Sequence, residues 1–280
     1  MKRSLMKLNK DKRIGRVLFI VEGSHYEFVL LKRIFCNIFG FSYIEKRRNK
    51  ADYYVRENDP YSRIAVINTQ ESNIKDITDN ETYLENIYAT LVEDYKFPVD
   101  QSAVYYLFDR DPDSNTDIER IQSYIVELKN PYENENFKAG QLLLSYPSLE
   151  SYTVSCFKDN SDSITFKLGS ELKSFIGTNT DIQMNKIDES KIEHATLEFK
   201  KFLENENITL NIDDFSGASS EIFEKEEAWL ESGGFKLFSM LTLAFLQLGI
   251  IEIYAVWISI NYVRFRLCFL KNKTSDKNFF

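Results

Sequence analysis

Cysteine and histidine are scarce in this chain. Its 280 residues hold 3 cysteines and 2 histidines, and Cys36, Cys156 and Cys268 lie more than a hundred residues apart with no CxxC pair. That argues against a zinc site or a disulfide framework and favours a reducing, cytoplasmic compartment. Glycine (10) and proline (5) are also few, while 43% of residues are hydrophobic and 28% charged, which is a folded globular composition. No GxxxxGK[ST] loop occurs, so a P-loop nucleotide hydrolase is disfavoured. The start of the chain is basic, with seven Lys/Arg between Met1 and Arg16 against Asp11, but no apolar run with a small-residue cleavage site follows. No secretory signal is expected.

The net charge of −8 is unevenly spread. Asp181 to Ser232 holds 14 Asp/Glu and 5 Lys/Arg, a balance of −9, leaving the remainder at +1. The acidity therefore belongs to one segment and does not oppose nucleic-acid binding elsewhere.

Four short runs rich in β-branched and aromatic residues read as strands buried on both faces: Arg16 to Val21, Arg63 to Asn68, Ala103 to Phe108 and Gln141 to Ser145. Segments of helical period separate them. Phe28, Leu31, Ile34, Phe35, Ile38 and Phe39 form one stripe; Leu84, Ile87, Tyr88, Leu91, Val92 and Tyr95 a second; Ile118, Ile121, Tyr124, Ile125 and Leu128 a third, opened by a Thr116/Glu119 capping box. The βαβαβαβ order predicts an α/β fold, a four-stranded parallel sheet flanked by helices. Two unequal parts are expected, residues 1–160 and an acidic, then apolar, mainly helical region over 161–280.

In an open parallel sheet, ligands gather beyond the carboxyl ends of the strands. The first strand runs into Glu22-Gly23, the third into Asp109-Arg110-Asp111, and the fourth is followed by Glu150. Residues two apart in extended chain share a side, so Asp109 and Asp111 are expected to face one ion, with Glu22 joining from the neighbouring strand. Carboxylates gathered this closely repel unless a hard cation lies among them, and Mg²⁺ or Mn²⁺ suits such oxygens. Gly23 offers a backbone freedom that would turn free N–H groups toward a phosphate. Asp-Pro-Asp-Ser-Asn at 111–115 is also good turn chemistry, and Glu22 suits a first helical turn.

Val21-Glu22-Gly23 after one apolar strand, then Phe108-Asp109-Arg110-Asp111 after another, resembles the TOPRIM domain of topoisomerases, bacterial primases, RNA-maturation nucleases and OLD-family nucleases. Ser145-Tyr146-Pro147-Ser148-Leu149-Glu150 is closest to RloB-like and OLD-like TOPRIM proteins of bacterial genome defence. The resemblance spans about Arg16 to Phe157. It implies a Rossmann-like sheet and a metal-dependent nuclease, with Glu22 as general acid or base, Asp109 and Asp111 as metal ligands, Glu150 as a further acid, and Glu27 and Asp113 as accessories. It further implies DNA or RNA as substrate, anti-phage abortive infection as the setting, and a partner ATPase or phage-derived trigger as activator. The different expectation, a TOPRIM scaffold kept as a non-catalytic interaction module, leaves the acid set without a purpose. Haloacid-dehalogenase-type phosphatases share Asp-x-Asp but leave Glu22-Gly23 idle.

Two segments keep alternatives open. The connection from Phe41 to Ser62 carries Lys46, Arg47 and Arg48, then Tyr53, Tyr54 and Arg56. It reads either as a phosphate- and base-contacting loop or as an ordinary solvated one. Phe238 to Val263 runs 26 residues without Lys or Arg. It reads as a buried element divided at Gly249, as a homo-oligomer interface or, less favoured because of Gln247 and Glu252, as a membrane span.

Overall fold

The computed structural model describes residues 2–44, 51–69, 73–79, 85–86, 88–89, 91–93, 96–132 and 140–257. Met6–Glu252 is one compact unit, and the chain ends form another. At the ends, β1 (Lys2–Leu8) and β12 (Ile251–Trp257) pair as a two-stranded sheet.

The main sheet has eight strands. In spatial order they are β11 (Phe238–Ser239), β8 (Gly140–Tyr146), β6 (Ala103–Asp109), β2 (Arg16–Val21), β5 (Asp59–Asn68), β4 (Asp52–Arg56) and β3 (Ser42–Ile44), with β7 (Lys129–Asn130) also on β8. The four runs read from the sequence are the central block, β8-β6-β2-β5, and each neighbouring pair in it is parallel. Their continuous apolar character follows from helices covering both faces: every residue of β8 is buried, as are five of six in β2. The antiparallel additions β3-β4 and β11 extend this block on either side, making the sheet mixed and larger than the expected four strands.

After β2 comes α1 (Tyr26–Lys32), continuing as a π-helix over Arg33–Ile38. Its stripe buries Leu31, Ile34, Phe35, Ile38 and Phe39. Phe35 meets Phe19 of β2, Tyr54 of β4 and Phe245, with ring centroids 5.8, 6.4 and 6.0 Å away. Burying such a ring is worth about 1.5–3 kcal/mol. A short α2 (Asp76–Asp79) follows β5; of the second expected stripe, Leu84, Ile87 and Tyr95 lie outside the described residues. Helix α3 (Ile118–Glu127) follows β6. Its N-cap is Asp117, accepting from the Arg120 N–H at 3.0 Å, and not Thr116 as expected.

Beyond β8 lie α4 (Glu150–Ser155), α5 (Gly169–Thr178), α6 (Glu189–Asn205) and α7 (Ser216–Ser232), then α8 (Leu241–Gln247). β9 (Thr165–Phe166) and β10 (Phe235–Lys236) pair apart from the main sheet. Ser216 to Ser220 form the first turn of α7. The apolar run from Phe238 is cut into β11, α8 and β12, with Gly249 at φ +66° making the turn between the last two. Among the described residues, no helix is long and apolar enough to cross a membrane.

Candidate active site

The parallel register brings Glu22 to Asp109. Val21 lies opposite Leu107, and the Glu22 N–H continues the ladder to the Leu107 carbonyl at 3.2 Å. Glu22 Oε2 then accepts from the Asp109 backbone N–H (2.9 Å) and from Asn115 Nδ2 (3.1 Å). The Asn115 amide also donates to the Asp109 carbonyl at 2.7 Å, while its Oδ1 accepts from the Ile74 N–H at 3.0 Å. One buried amide thus ties the ends of β2 and β6 to the segment after β5.

The third acid arrives from β8. The chain passes a cis Tyr146–Pro147 bond into α4, where the Leu149 N–H donates to Asp109 Oδ1 at 2.8 Å and Glu150 opens the helix, 4% exposed. Glu27 of α1 is the fourth, 7% exposed, and its Oε1 accepts from the Gly23 N–H at 3.0 Å. Gly23 is not in the left-handed region; a Cβ there would lie 2.7 Å from both Glu27 carboxylate oxygens. Glycine therefore lets the Glu27 carboxylate approach closely, and does not supply the backbone freedom expected of it.

The electrostatics reflect four buried acids that influence one another. Burial is the main cause lifting the Glu22 carboxyl from 4.5 to about 7, with Glu27 adding repulsion and the Asp109 and Asn115 bonds opposing it. Asp109 is raised well above its ordinary value by burial and then by Glu22, Glu150 and Glu27. Glu150 is raised by burial, against which Lys173 and Ser148 act. The Lys173 ammonium, from α5, stands 3.8 Å from Glu150 Oε1. Burial acts to lower Lys173, but Glu150, Asp109, Glu27 and Asp111 together hold it above its ordinary value.

Asp111 and Asp113 differ from expectation. β6 ends at Asp109, so the alternation that would align Asp111 with it stops there. Asp111 instead accepts from the Gly169 N–H at 3.0 Å and the Asp113 N–H at 3.2 Å, capping the start of α5. Asp113 is exposed. Arg110, between the two acids, turns the other way: only 2% exposed, it grips Glu227 of α7 with two bonds, 2.6 and 2.8 Å. Lys46, Arg47 and Arg48 lie outside the described residues. Further along that connection, Tyr53 and Tyr54 are buried in β4. Arg56 is spent on the Lys12 and Phe39 carbonyls and on the Phe41 ring, so these three are packing residues and not a nucleic-acid loop.

Glu22, Asp109, Glu150 and Glu27 are all oxygen donors, the ligand type a hard dication takes. Among the described residues, however, the His, Cys, Asp and Glu group with all ligand atoms within 4.8 Å is Asp159, His194 and Glu198, at the other end of α4; that group could hold a metal ion. Asn115 and Lys173 were missed in the sequence. Asn115 closes a stretch of turn-forming residues, and Lys173 lies on a helix whose approach to the acids no local pattern announces. Comparison with family models, with curated proteins and with solved structures gave no match.

Proposed function

We propose that the chain is a TOPRIM-like, Mg²⁺- or Mn²⁺-dependent nuclease that hydrolyses phosphodiester bonds of DNA or RNA at the Glu22, Asp109 and Glu150 cluster. The observation that carries this is the arrival of acids from three separate strand ends, with Glu27 beside them, at buried positions where burial above all, with their mutual repulsion added, raises the carboxyl groups. Stability alone gives no reason to gather them, and perturbed acids in one recess are a mark of chemistry.

Each group has a part. Asp109, Glu150 and Glu22 would hold the ion, which when bound polarises the phosphate and lowers the charge on the leaving oxygen. Glu22, with its carboxyl near 7, is poised to exchange a proton with attacking water or leaving oxygen at neutral pH. Asn115 and the Asp109 N–H fix Oε2 of Glu22 and leave Oε1 for that exchange. Lys173, paired with Glu150, would offer a positive charge to the non-bridging phosphate oxygens. Asp111 acts indirectly, by anchoring the α5 start that carries Lys173. A role in bacterial anti-phage defence, under a partner ATPase or phage-derived trigger, rests on the family resemblance.

The test is cleavage of a mixed DNA and RNA panel with Mg²⁺, Mn²⁺ or EDTA by wild type, Glu22→Gln and Asp109→Asn. Metal-dependent cutting lost in both variants is expected. No cutting by wild type with cell extract present, together with unchanged biological activity of both variants, would leave the interaction module as the better account.

A further inference from the structure

A second constellation sits at the far end of α4. His194 and Glu198 are one turn apart on α6 and share a face. His194 Nδ1 lies 2.7 Å from the Ser155 carbonyl oxygen. A carbonyl only accepts, so Nδ1 carries the ring proton, and Nε2 presents a lone pair. That lone pair lies 2.9 Å from Asp159 Oδ1, an atom that also only accepts. Two acceptors at this distance require a positive species between them, either a second ring proton or a metal ion.

Glu198 favours the ion. It is 6% exposed, its Oε2 is fixed by the Ser161 N–H at 2.8 Å, and its ligand atom lies within 4.8 Å of those of His194 and Asp159. A second proton on His194 satisfies the His–Asp pair and leaves the Glu198 charge balanced by Lys201, whose ammonium is 3.3 Å from Oε1 on a side chain 41% exposed, beside the Ser161 bonds to Oε2. A dication satisfies all three ligands and displaces that exposed lysine into water. The outer contacts are those a metal site needs: the ring N–H of the histidine held by a backbone carbonyl, and the glutamate held by a backbone N–H. Asp159 is exposed, which gives the ion a way in and leaves an open position for water.

We propose that Asp159, His194 and Glu198 bind a divalent transition ion of the zinc class, clamping α6 to the turn that follows α4. One imidazole with two carboxylates selects such an ion over Mg²⁺. The clamp is separate from the Glu22–Asp109 cluster: Ser155 ends α4 and Glu150 begins it, about 7.5 Å apart along the helix at 1.5 Å per residue.

The experiment is equilibrium dialysis and thermal melting of the full chain, stripped with chelator and titrated with Zn²⁺ in Mg²⁺-free buffer above the ordinary histidine range of about 6.5. One Zn²⁺ per chain retained by Asp109→Asn, and in that variant a rise in melting temperature with Zn²⁺ that Mg²⁺ does not reproduce, are expected. His194→Gln, which can still donate to the Ser155 carbonyl, and Asp159→Asn, at an exposed position, are each expected to weaken Zn²⁺ binding at least 10–100-fold, roughly the loss seen even for outer-shell changes. No binding by wild type overturns the proposal and leaves an imidazolium–carboxylate pair. Binding that survives both variants, or that Asp109→Asn removes, overturns it as well. None of these readouts depends on nucleic-acid cleavage.

Discussion

Replacing Glu22 by glutamine is expected to make the metal-free protein more stable. In the unfolded chain the carboxyl titrates near 4.5; in the native site it titrates near 7. Below 4.5 both states are protonated and the group costs nothing. Between 4.5 and about 7 the native state binds more proton than the unfolded, so stability falls as pH rises, and above 7 the whole cost is present. At about 1.4 kcal/mol per pH unit the cost is about 3 kcal/mol, and with 7% exposure water screens it little. Glutamine keeps an oxygen for the Asp109 N–H and the Asn115 amide, but these bonds weaken by about 1 kcal/mol without the charge. The net gain is about 2 kcal/mol. For a chain of this size that is roughly 4–8 °C in melting temperature. The assay is thermal unfolding in EDTA across this pH range. Wild type should lose stability with rising pH more steeply than Glu22→Gln, in which the buried Asp109, Glu150 and Glu226 still contribute. A variant less stable than wild type above pH 7, or equal pH slopes in both, refutes the reasoning.

Other expectations follow from the same contacts. Mg²⁺ should raise the wild-type melting temperature, and Asp109→Asn should abolish that rise in calorimetry. Gly23→Ala should displace the Glu27 carboxylate, whose oxygens would stand 2.7 Å from the new Cβ, with little loss of stability by urea titration but reduced metal-dependent cleavage. Arg110→Ala breaks a buried two-bond pair with Glu227 and should cost about 3–5 kcal/mol; the double variant Arg110→Ala/Glu227→Ala should recover part of it in the same titration. Glu226 is fully buried, with Oε2 on the Lys236 N–H and no partner at Oε1 among the described residues, and burial holds its carboxyl well above the ordinary range. The native state prefers it protonated, so Glu226→Gln should leave stability at neutral pH unchanged or higher.

The central strands were legible because helices cover both faces of the sheet, so β2, β6 and β8 are unbroken apolar words with acids at their carboxyl ends. Glu22, Asp109 and Glu150 were legible for the same reason. What failed was local reasoning carried past the end of an element. Alternation predicts that Asp111 faces Asp109, but β6 stops at Asp109, and the turn sends Asp111 to the α5 backbone. Strands of two or three residues, such as β3 and β11, carry too little pattern to stand out. Tyr53 and Tyr54 looked like a base-stacking loop because aromatic residues beside basic ones fit an edge strand equally well. Asn115, Lys173 and the Asp159, His194 and Glu198 constellation arise from tertiary approach, which spacing along the chain does not encode.

The most direct measurement is Mn²⁺ binding followed by electron paramagnetic resonance, on wild type, Asp109→Asn and His194→Gln. The account predicts a bound Mn²⁺ signal in wild type that Asp109→Asn loses and His194→Gln keeps. No bound signal in wild type, or an equal signal in Asp109→Asn, would contradict the claim that the acids at the strand ends form a cation site.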